Sequence, residues 1–431
     1  MSVNGRDLAL KALSVYRRNG GFSDTALNSV LDTQEDSREK ALAARLYYTV
    51  LSNSMLINYY LDRFCKGGCA SLQPQVKDIL SLCAAQLLFF DRIPAFSAVN
   101  EAVAQCKRSA PQAAGLVNAV CRRLSDKEHL PEITGSDAEC LSIMYSHPLW
   151  FTETMLQVLG SLDECGKYLA ANNEIPPVFI RENTLMTGSH EACVNAGLSY
   201  SSLYGCFTAR NFHDNSAAGL LKKGLAYVQD PASAAAVAAA GPQPGMTVID
   251  VCSAPGGKSF ASAMRMQNRG RIFSFDLSAK KIPVIESTAS LLGITCLQAA
   301  AADGRIFRPE LEKKGDIVFT DVPCSGFGVI RKKPEIRYKN KEDILRLPEI
   351  GLSILSNASR YVKPGGVLLY STCTVLPQEN EQVVNSFLSS NKHFTPESFK
   401  IFGSESNGKI TLYPHIYGTD GFFICKLRCN G

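Results

Sequence analysis

Two cysteines in this chain stand where a thiol can do chemistry. Cys324 lies in "DVPCSGFG", directly after the apolar run "DIVF", and Cys373 lies in "GVLLYSTCTVLPQEN", past another apolar run and before a helix start. A thiolate is a strong nucleophile, and a strand tip leading into a loop or a helix N-terminus favours the thiolate form. The bland alternative for any cysteine is a small buried hydrophobe, and that is the reading for most of the fifteen in this chain. Cys324 and Cys373 are different, because neighbouring parallel strands lie about 5 Å apart and thiols at adjacent tips can face one pocket.

Other strand ends carry a glycine loop and carboxylates. In "DVCSAPGGKSF", Gly256 and Gly257 let backbone amides approach a ligand, and the helix that follows offers its N-terminus. The spacing is neither G-x-G-x-x-G nor that of a P-loop, which argues against NAD and ATP. By itself such a loop is equally a tight strand-to-helix turn. Asp276 ends the second apolar run, 20 residues after Gly256, a position from which a carboxylate reaches ribose hydroxyls. Asp303, in "AAADG", ends the third. Either aspartate alone is more often a helix N-cap. Together with the loop they describe a pocket for a nucleoside without phosphates, of which S-adenosylmethionine is the common one.

These residues need a sheet to bring them together. After about Asp230, strands and helices alternate: "MTVIDV", "RIFSFDL", "ITCLQAA", "DIVFTDV" and "GVLLYSTC" are continuous apolar strands, and "KITLYP" and "GFFICKL" close the chain as a hairpin. The pattern predicts an α/β Rossmann-like domain over 229–431 with a doubly wound seven-stranded sheet. Such sheets bind ligands outside the carboxyl ends of their strands, near the point where strand order reverses. Earlier, from Leu8 to about Leu124, apolar residues recur at helical spacing, as in "ALAARLYYTVLSNSMLINYYLDRF" and "VKDILSLCAAQLLFF". That predicts an all-α bundle over 1–130. Between them, 131–228 reads as a small α+β connector, with a strand in "NNEIPPVFIRENT" and a loop-rich stretch in "YGCFTARNFHD".

Composition narrows the class further. Forty-five basic residues against forty acidic ones give no coat of positive charge, so any nucleic-acid surface must be local. Arg331 to Arg346 is such a place, with seven bases, among them Arg331 and Arg337, against three acids. An isolated charge run is usually a solvated face, but this one follows "PCSG" and contains Tyr338, so it reads as a strip facing phosphates. The odd number of cysteines and the absence of a signal-like N-terminus point to a reducing, cytoplasmic setting. Cys65/Cys69 and Cys425/Cys429 each enclose three residues rather than the two usual at zinc sites, so no metal is expected. No apolar run approaches the roughly 20 residues that span a bilayer, so no membrane role is expected.

"DVCSAPGGK", "DVPCSGFGVIRKKPEIR" and "YSTCTVLPQENE" resemble the RNA cytosine-C5 methyltransferases of the Nol1/Nop2/Sun group. "RIPAFSAVNEAV" and "GLVNAVCRRL" are similar to the NusB-like domain that marks the group's bacterial 16S ribosomal RNA member. The resemblance implies an S-adenosylmethionine-dependent enzyme with a NusB-like RNA-binding domain over 1–130, acting as a monomer on 16S ribosomal RNA. It implies that Cys252, Ser253, Ala254, Pro255, Gly256, Gly257 and Lys258 surround the methionine end of the donor. Asp276 would hold the ribose, Asp303 would lie beside the adenine, and Asp321 would sit near the methyl group and the base. Cys373 would be the nucleophile that adds to carbon 6, and Cys324 would help release the product; Cys324 stays the rival for attack, as in DNA enzymes. Arg181 and Asn183 in "FIRENT" resemble a second RNA-contacting motif. Val322, Lys333, Glu335 and Tyr338 depart mildly from the family's usual residues, and none of these changes removes a reacting group. Two alternatives remain, a transfer RNA methyltransferase with the same catalytic residues and a non-catalytic RNA-binding factor.

Overall fold

The computed structural model describes residues 4–32, 34–201, 204–209 and 215–431, the side chains of 215 and 216 excepted. The chain forms two compact units, one of Met1–Ile175 with Ile330–Asn340, the other of Pro176–Val329 with Lys341–Gly431. The helices between 131 and 175 thus belong with the N-terminal bundle, whereas the sequence reading placed them in a connector.

In the first unit, helix starts follow local chemistry. Asn4 accepts from the Asp7 amide, Asp36 from those of Arg38 and Glu39, and Ser136 forms a capping box with Glu139. Pro74 opens Pro74–Phe89, which is buried on all sides by Val76, Ile79, Leu80, Leu82 and Cys83, and this marks it as the centre of the bundle. Gly5–Asn19, Ser37–Ser52, Ala95–Ser109 and Ala114–Ser125 bury Leu8, Leu46, Ala98 and Val117 in the same core. Each such large aliphatic side chain contributes about 1.5–3 kcal/mol of burial. Asp137–Tyr145, Leu149–Leu159 and Leu162–Ala171 extend the unit.

The second unit opens with an antiparallel sheet of β1 (Val178–Glu182), β2 (Ser199–Ser201), β3 (Cys206–Ala209) and β4 (Ala226–Val228), in the order β2-β3-β1-β4. "CFTA", expected in a loop, is thus a strand, and 210–214 of that stretch lie outside the described residues. The main sheet follows: β5 (Thr247–Asp250), β6 (Arg271–Asp276), β7 (Leu297–Ala301), β8 (Gly315–Asp321), β9 (Val362–Thr372) and β10 (Phe394–Pro396). A two-stranded ribbon of β11 (Phe399–Ile401) and β12 (Ser404–Ser406) precedes β13 (Lys409–Leu412) and β14 (Phe422–Cys429). The order is β10-β14-β9-β8-β5-β6-β7, with β13 paired to β14. The run β9-β8-β5-β6-β7 is parallel and β14 is antiparallel to β9. The sheet has eight strands rather than seven. The added one, β10, is three residues long and ends in proline, too short to show a period.

Alternate residues of each central strand serve opposite faces, which is why the strands read as unbroken apolar runs. Val248, Ile317, Phe319 and Leu369 pack toward Pro231–Ala240 and Gly257–Arg265. Ile249, Val318, Leu368 and Phe423 pack toward Leu347–Ser359 and Glu381–Ser390. Strand order reverses at β5, between β8 and β6, so the carboxyl ends there carry Asp250, Asp276 and Asp321.

Candidate active site

Register places the first pair of groups. Asp321 on β8 lies opposite Ser371 on β9, and the Ser371 hydroxyl donates to Asp321 Oδ1 at 2.8 Å. Lys258, in the first turn of Gly257–Arg265, donates from Nζ to Asp321 Oδ2 at 2.5 Å. Lys258 is only 6% exposed, and a buried ammonium demands a carboxylate at this range. Phe422 covers it, with Nζ 5.0 Å from the ring centroid.

The loops that leave β8 and β9 are stitched together. The Val322 amide donates to Ser371 O, the Gly328 amide to Cys373 O at 2.9 Å, and Ser325 Oγ meets Thr374 Oγ1 at 2.9 Å. Gly328 allows this closeness, because a Cβ there would lie 1.8 Å from Gly421 O. As a result Cys324 Sγ and Cys373 Sγ are 3.2 Å apart, beyond the roughly 2.05 Å of a disulfide and within thiol hydrogen-bonding reach. Its hydrogen bond with Cys373, then burial, then the charges of Cys373, Glu379 and Asp321 push the Cys324 thiol well above the ordinary thiol range. All fifteen cysteines are free thiols.

A cavity of about 300 Å³ opens beside Asp321. Cys252, Ser253, Ala254, Pro255, Gly257 and Lys258 line it, while Gly256, Asp276 and Asp303 do not. Gly256, at φ +108°, caps the helix and leaves room for the Phe260 ring, which a Cβ would meet at 2.3 Å. Asp276 braces the loop instead, accepting from the Ala254 amide at 3.3 Å and the Ser278 amide at 2.9 Å. Arg305 engages both oxygens of Asp303 and holds its carboxyl below the usual range.

Residues that the sequence reading did not single out complete the wall: Val228, Gln229, Asp230, Ser233, Asp250 and Asp420. Asp250 is 1% exposed, and burial pushes its carboxyl up to about 7 against the pull of Lys258 and the Ser259 hydroxyl, which donates at 2.9 Å. Its place as the last residue of "TVID" was the available signal. Gln229 had none, since the contacts that tie it to the glycine loop and β1 are long-range: it accepts from Arg181 at 2.9 Å and donates to Gly257 O at 2.8 Å. Arg181 is thus turned to the glycine loop through Gln229. Asn183 is fully buried and donates to Gly224 O and Leu292 O.

The basic strip divides. Arg337, expected to face RNA, is fully buried in the helical unit, where its guanidinium donates to Ser52 O, Ser146 O and Asn173 Oδ1 and burial lowers its pKa to about 10. Those acceptors use the guanidinium that a phosphate would need. The Tyr338 hydroxyl is likewise bonded to Leu51 O and Ser54. Arg331 is partly exposed, and Lys332 and Lys333 are exposed. Among the described residues no cluster suits a metal ion and no helix is long and apolar enough to cross a membrane.

Comparisons with known proteins agree with this architecture. Residues 237–428 match the family model described as 16S rRNA methyltransferase RsmB/F, and residues 3–126 match the NusB family. The chain is 33% identical to a probable ribosomal RNA small subunit methyltransferase B of Bacillus subtilis, with 99% of each chain covered. It is 29% identical to the ribosomal RNA small subunit methyltransferase B of Cronobacter sakazakii, again over 99% of each. Among solved structures, the crystal structure of PH0851 superposes with a TM-score of 0.79 at 25% identity, covering 99% of both chains. With that identity over its full length, the chain belongs to the ribosomal RNA small subunit methyltransferase B family.

Proposed function

We propose that the protein transfers the methyl group of S-adenosylmethionine to carbon 5 of a cytosine in 16S ribosomal RNA, through a covalent bond between a cysteine and carbon 6. The observation that carries this reading is the 3.2 Å approach of two free thiols beside a carboxylate held by a buried lysine.

The cavity fits the donor. Its walls offer carboxylates and Lys258 for a zwitterionic methionine end, and Ser253 Oγ is buried there without a partner within the protein. When bound, S-adenosylmethionine supplies an electrophilic methyl group. Cys252 to Lys258 would line its methionine end, and Asp276 and Asp303, at the next strand ends, would take the ribose and the adenine side. Arg305 would have to release Asp303 for that.

Carbon 5 of cytosine is a poor nucleophile, so Cys373 as thiolate adds to carbon 6 and pushes electrons to carbon 5. Asp321 stabilises the charge that grows at N3 and the exocyclic amine, with Lys258 as its proton source. After methylation water takes the C5 proton, the C5–H electron pair re-forms the C5–C6 double bond, and the bond from carbon 6 to Cys373 breaks with its electrons returning to the sulfur, to which the Cys324 thiol donates a hydrogen bond. Cys324, the thiol held protonated, suits release rather than attack. The base must be unpaired or flipped to reach the pocket, and the NusB-like helices with Arg331, Lys332 and Lys333 hold the surrounding RNA. The free thiols fit a cytoplasmic setting.

The test is incubation with labelled S-adenosylmethionine and 16S ribosomal RNA. Methyl transfer is expected for the wild type and lost in Cys373→Ala; no transfer to any RNA by the wild type would leave a pure binding factor. The ribosomal substrate is preferred to transfer RNA because relatives named for it match over 99% of the chain.

A further inference from the structure

Arg181, which by resemblance belongs to an RNA-contacting motif, meets the glycine loop by way of one amide. On β1 it stands opposite Tyr227 of β4, and Gln229, two residues past Tyr227, lies on the same face. Both side chains donate to Gln229 Oε1, Arg181 from Nη1 at 2.9 Å and Tyr227 from its hydroxyl at 3.0 Å. Gln229 Nε2 in turn donates to Gly257 O at 2.8 Å, and Gly257 is the residue directly before Lys258. Gln229 is buried, lines the cavity, and has its backbone amide tied to Phe179 O of β1 at 3.3 Å. A Cβ on residue 257 would come within 3.3 Å of Gln229 Nε2, so Gly257 keeps that approach open.

A glutamine amide can turn over and exchange its donor and acceptor ends, and a tyrosine hydroxyl accommodates either end because it both donates and accepts. A guanidinium only donates. Arg181 therefore decides which end of Gln229 faces the loop: with Oε1 held by Arg181, the amide nitrogen points at the Gly257 carbonyl. We propose that Arg181 and Gln229 are positioning residues for the methyl donor that act as one unit. The arginine orients the glutamine, and the glutamine holds the loop residue that precedes Lys258, so that this wall of the cavity is set before the donor arrives. This rests on the reading of the cavity as the S-adenosylmethionine site.

The test is calorimetric titration of the full-length protein with S-adenosylmethionine, without RNA, beside filter binding of 16S ribosomal RNA. Arg181→Met and Gln229→Met should each weaken donor binding about tenfold, the loss expected for one well-placed hydrogen bond, and leave RNA binding within about twofold of wild type. The double variant should be weaker than either single one by no more than about twofold, because each change breaks the same unit. Arg181→Lys, which keeps a donor for Gln229 Oε1, should recover most of the affinity. An Arg181→Met variant that loses RNA affinity and keeps donor affinity, or two losses that multiply in the double variant, overturns the proposal. Should a methionine variant not fold, Gln229→Glu keeps the bond from Arg181 and removes only the donor to Gly257 O. It should weaken donor binding about tenfold despite placing an anion near a cationic sulfonium, and unchanged or tighter binding overturns the proposal equally. No donor binding by the wild type would refute the reading of the cavity, and this proposal with it.

Discussion

Lys258 ties the cavity to the thiol pair, since it lines the one and holds Asp321 next to the other. Lys258→Met should lower kcat by about a hundredfold, the usual loss on removing one preorganised electrostatic group, in an assay of methyl transfer under saturating RNA. Asp250 gives a pH signature. Its carboxyl is raised from 3.8 to about 7 in the folded chain, so its ionisation weakens the fold as pH climbs between those values, and below them the cost vanishes. Asp250→Asn should therefore gain stability relative to wild type, by about a few kcal/mol, in urea melts near pH 8 compared with pH 4. Equal differences at both pH values would refute that. At this scale the sequence was most legible where a residue ends an apolar run, which singled out Cys324 and Cys373, whereas Asp321 entered only through the family resemblance. Ser371 and Gln229 were hidden because their partners are set by register and by contacts across 50 and 48 positions.

Elements decide whether the thiols meet. The close crossing of Gly328 and Gly421 joins the Cys324 loop to the start of β14, and Gly328→Ala would force a Cβ into the Gly421 carbonyl. Methyl transfer should fall at least about a hundredfold while the far-ultraviolet circular dichroism stays close to wild type, because a displacement of about 1 Å suffices to separate reacting groups. Arg337 belongs to stability. Arg337→Met would leave buried carbonyls without donors and should cost about 3 kcal/mol or more in urea unfolding. Composition alone could not separate Arg337 from its exposed neighbours, because a charge run gives no sign of which member points inward. The strand pattern, by contrast, carried the main sheet almost whole. It missed β10, which has too few residues for a period, and it assigned 131–175 to a connector although the "SDAE" capping box marked a helix there.

In the proposed function the helical unit holds RNA and the second unit transfers the methyl group. If exposed Lys332 and Lys333 face phosphates, alanine at each should weaken binding of 16S ribosomal RNA across sequences and reduce the salt slope by about one per contact. Bisulfite mapping of ribosomal RNA from cells lacking the gene should show one cytosine that has lost its protection. The most direct measurement combines chain and substrate: full-length protein is incubated with S-adenosylmethionine and 16S ribosomal RNA containing 5-fluorocytosine, whose C5 fluorine cannot leave as a proton does, so the adduct is trapped. The account predicts a peptide joined through Cys373 to a nucleotide that also carries the new methyl group. Attachment through Cys324, or no protein–RNA adduct at all, would contradict it.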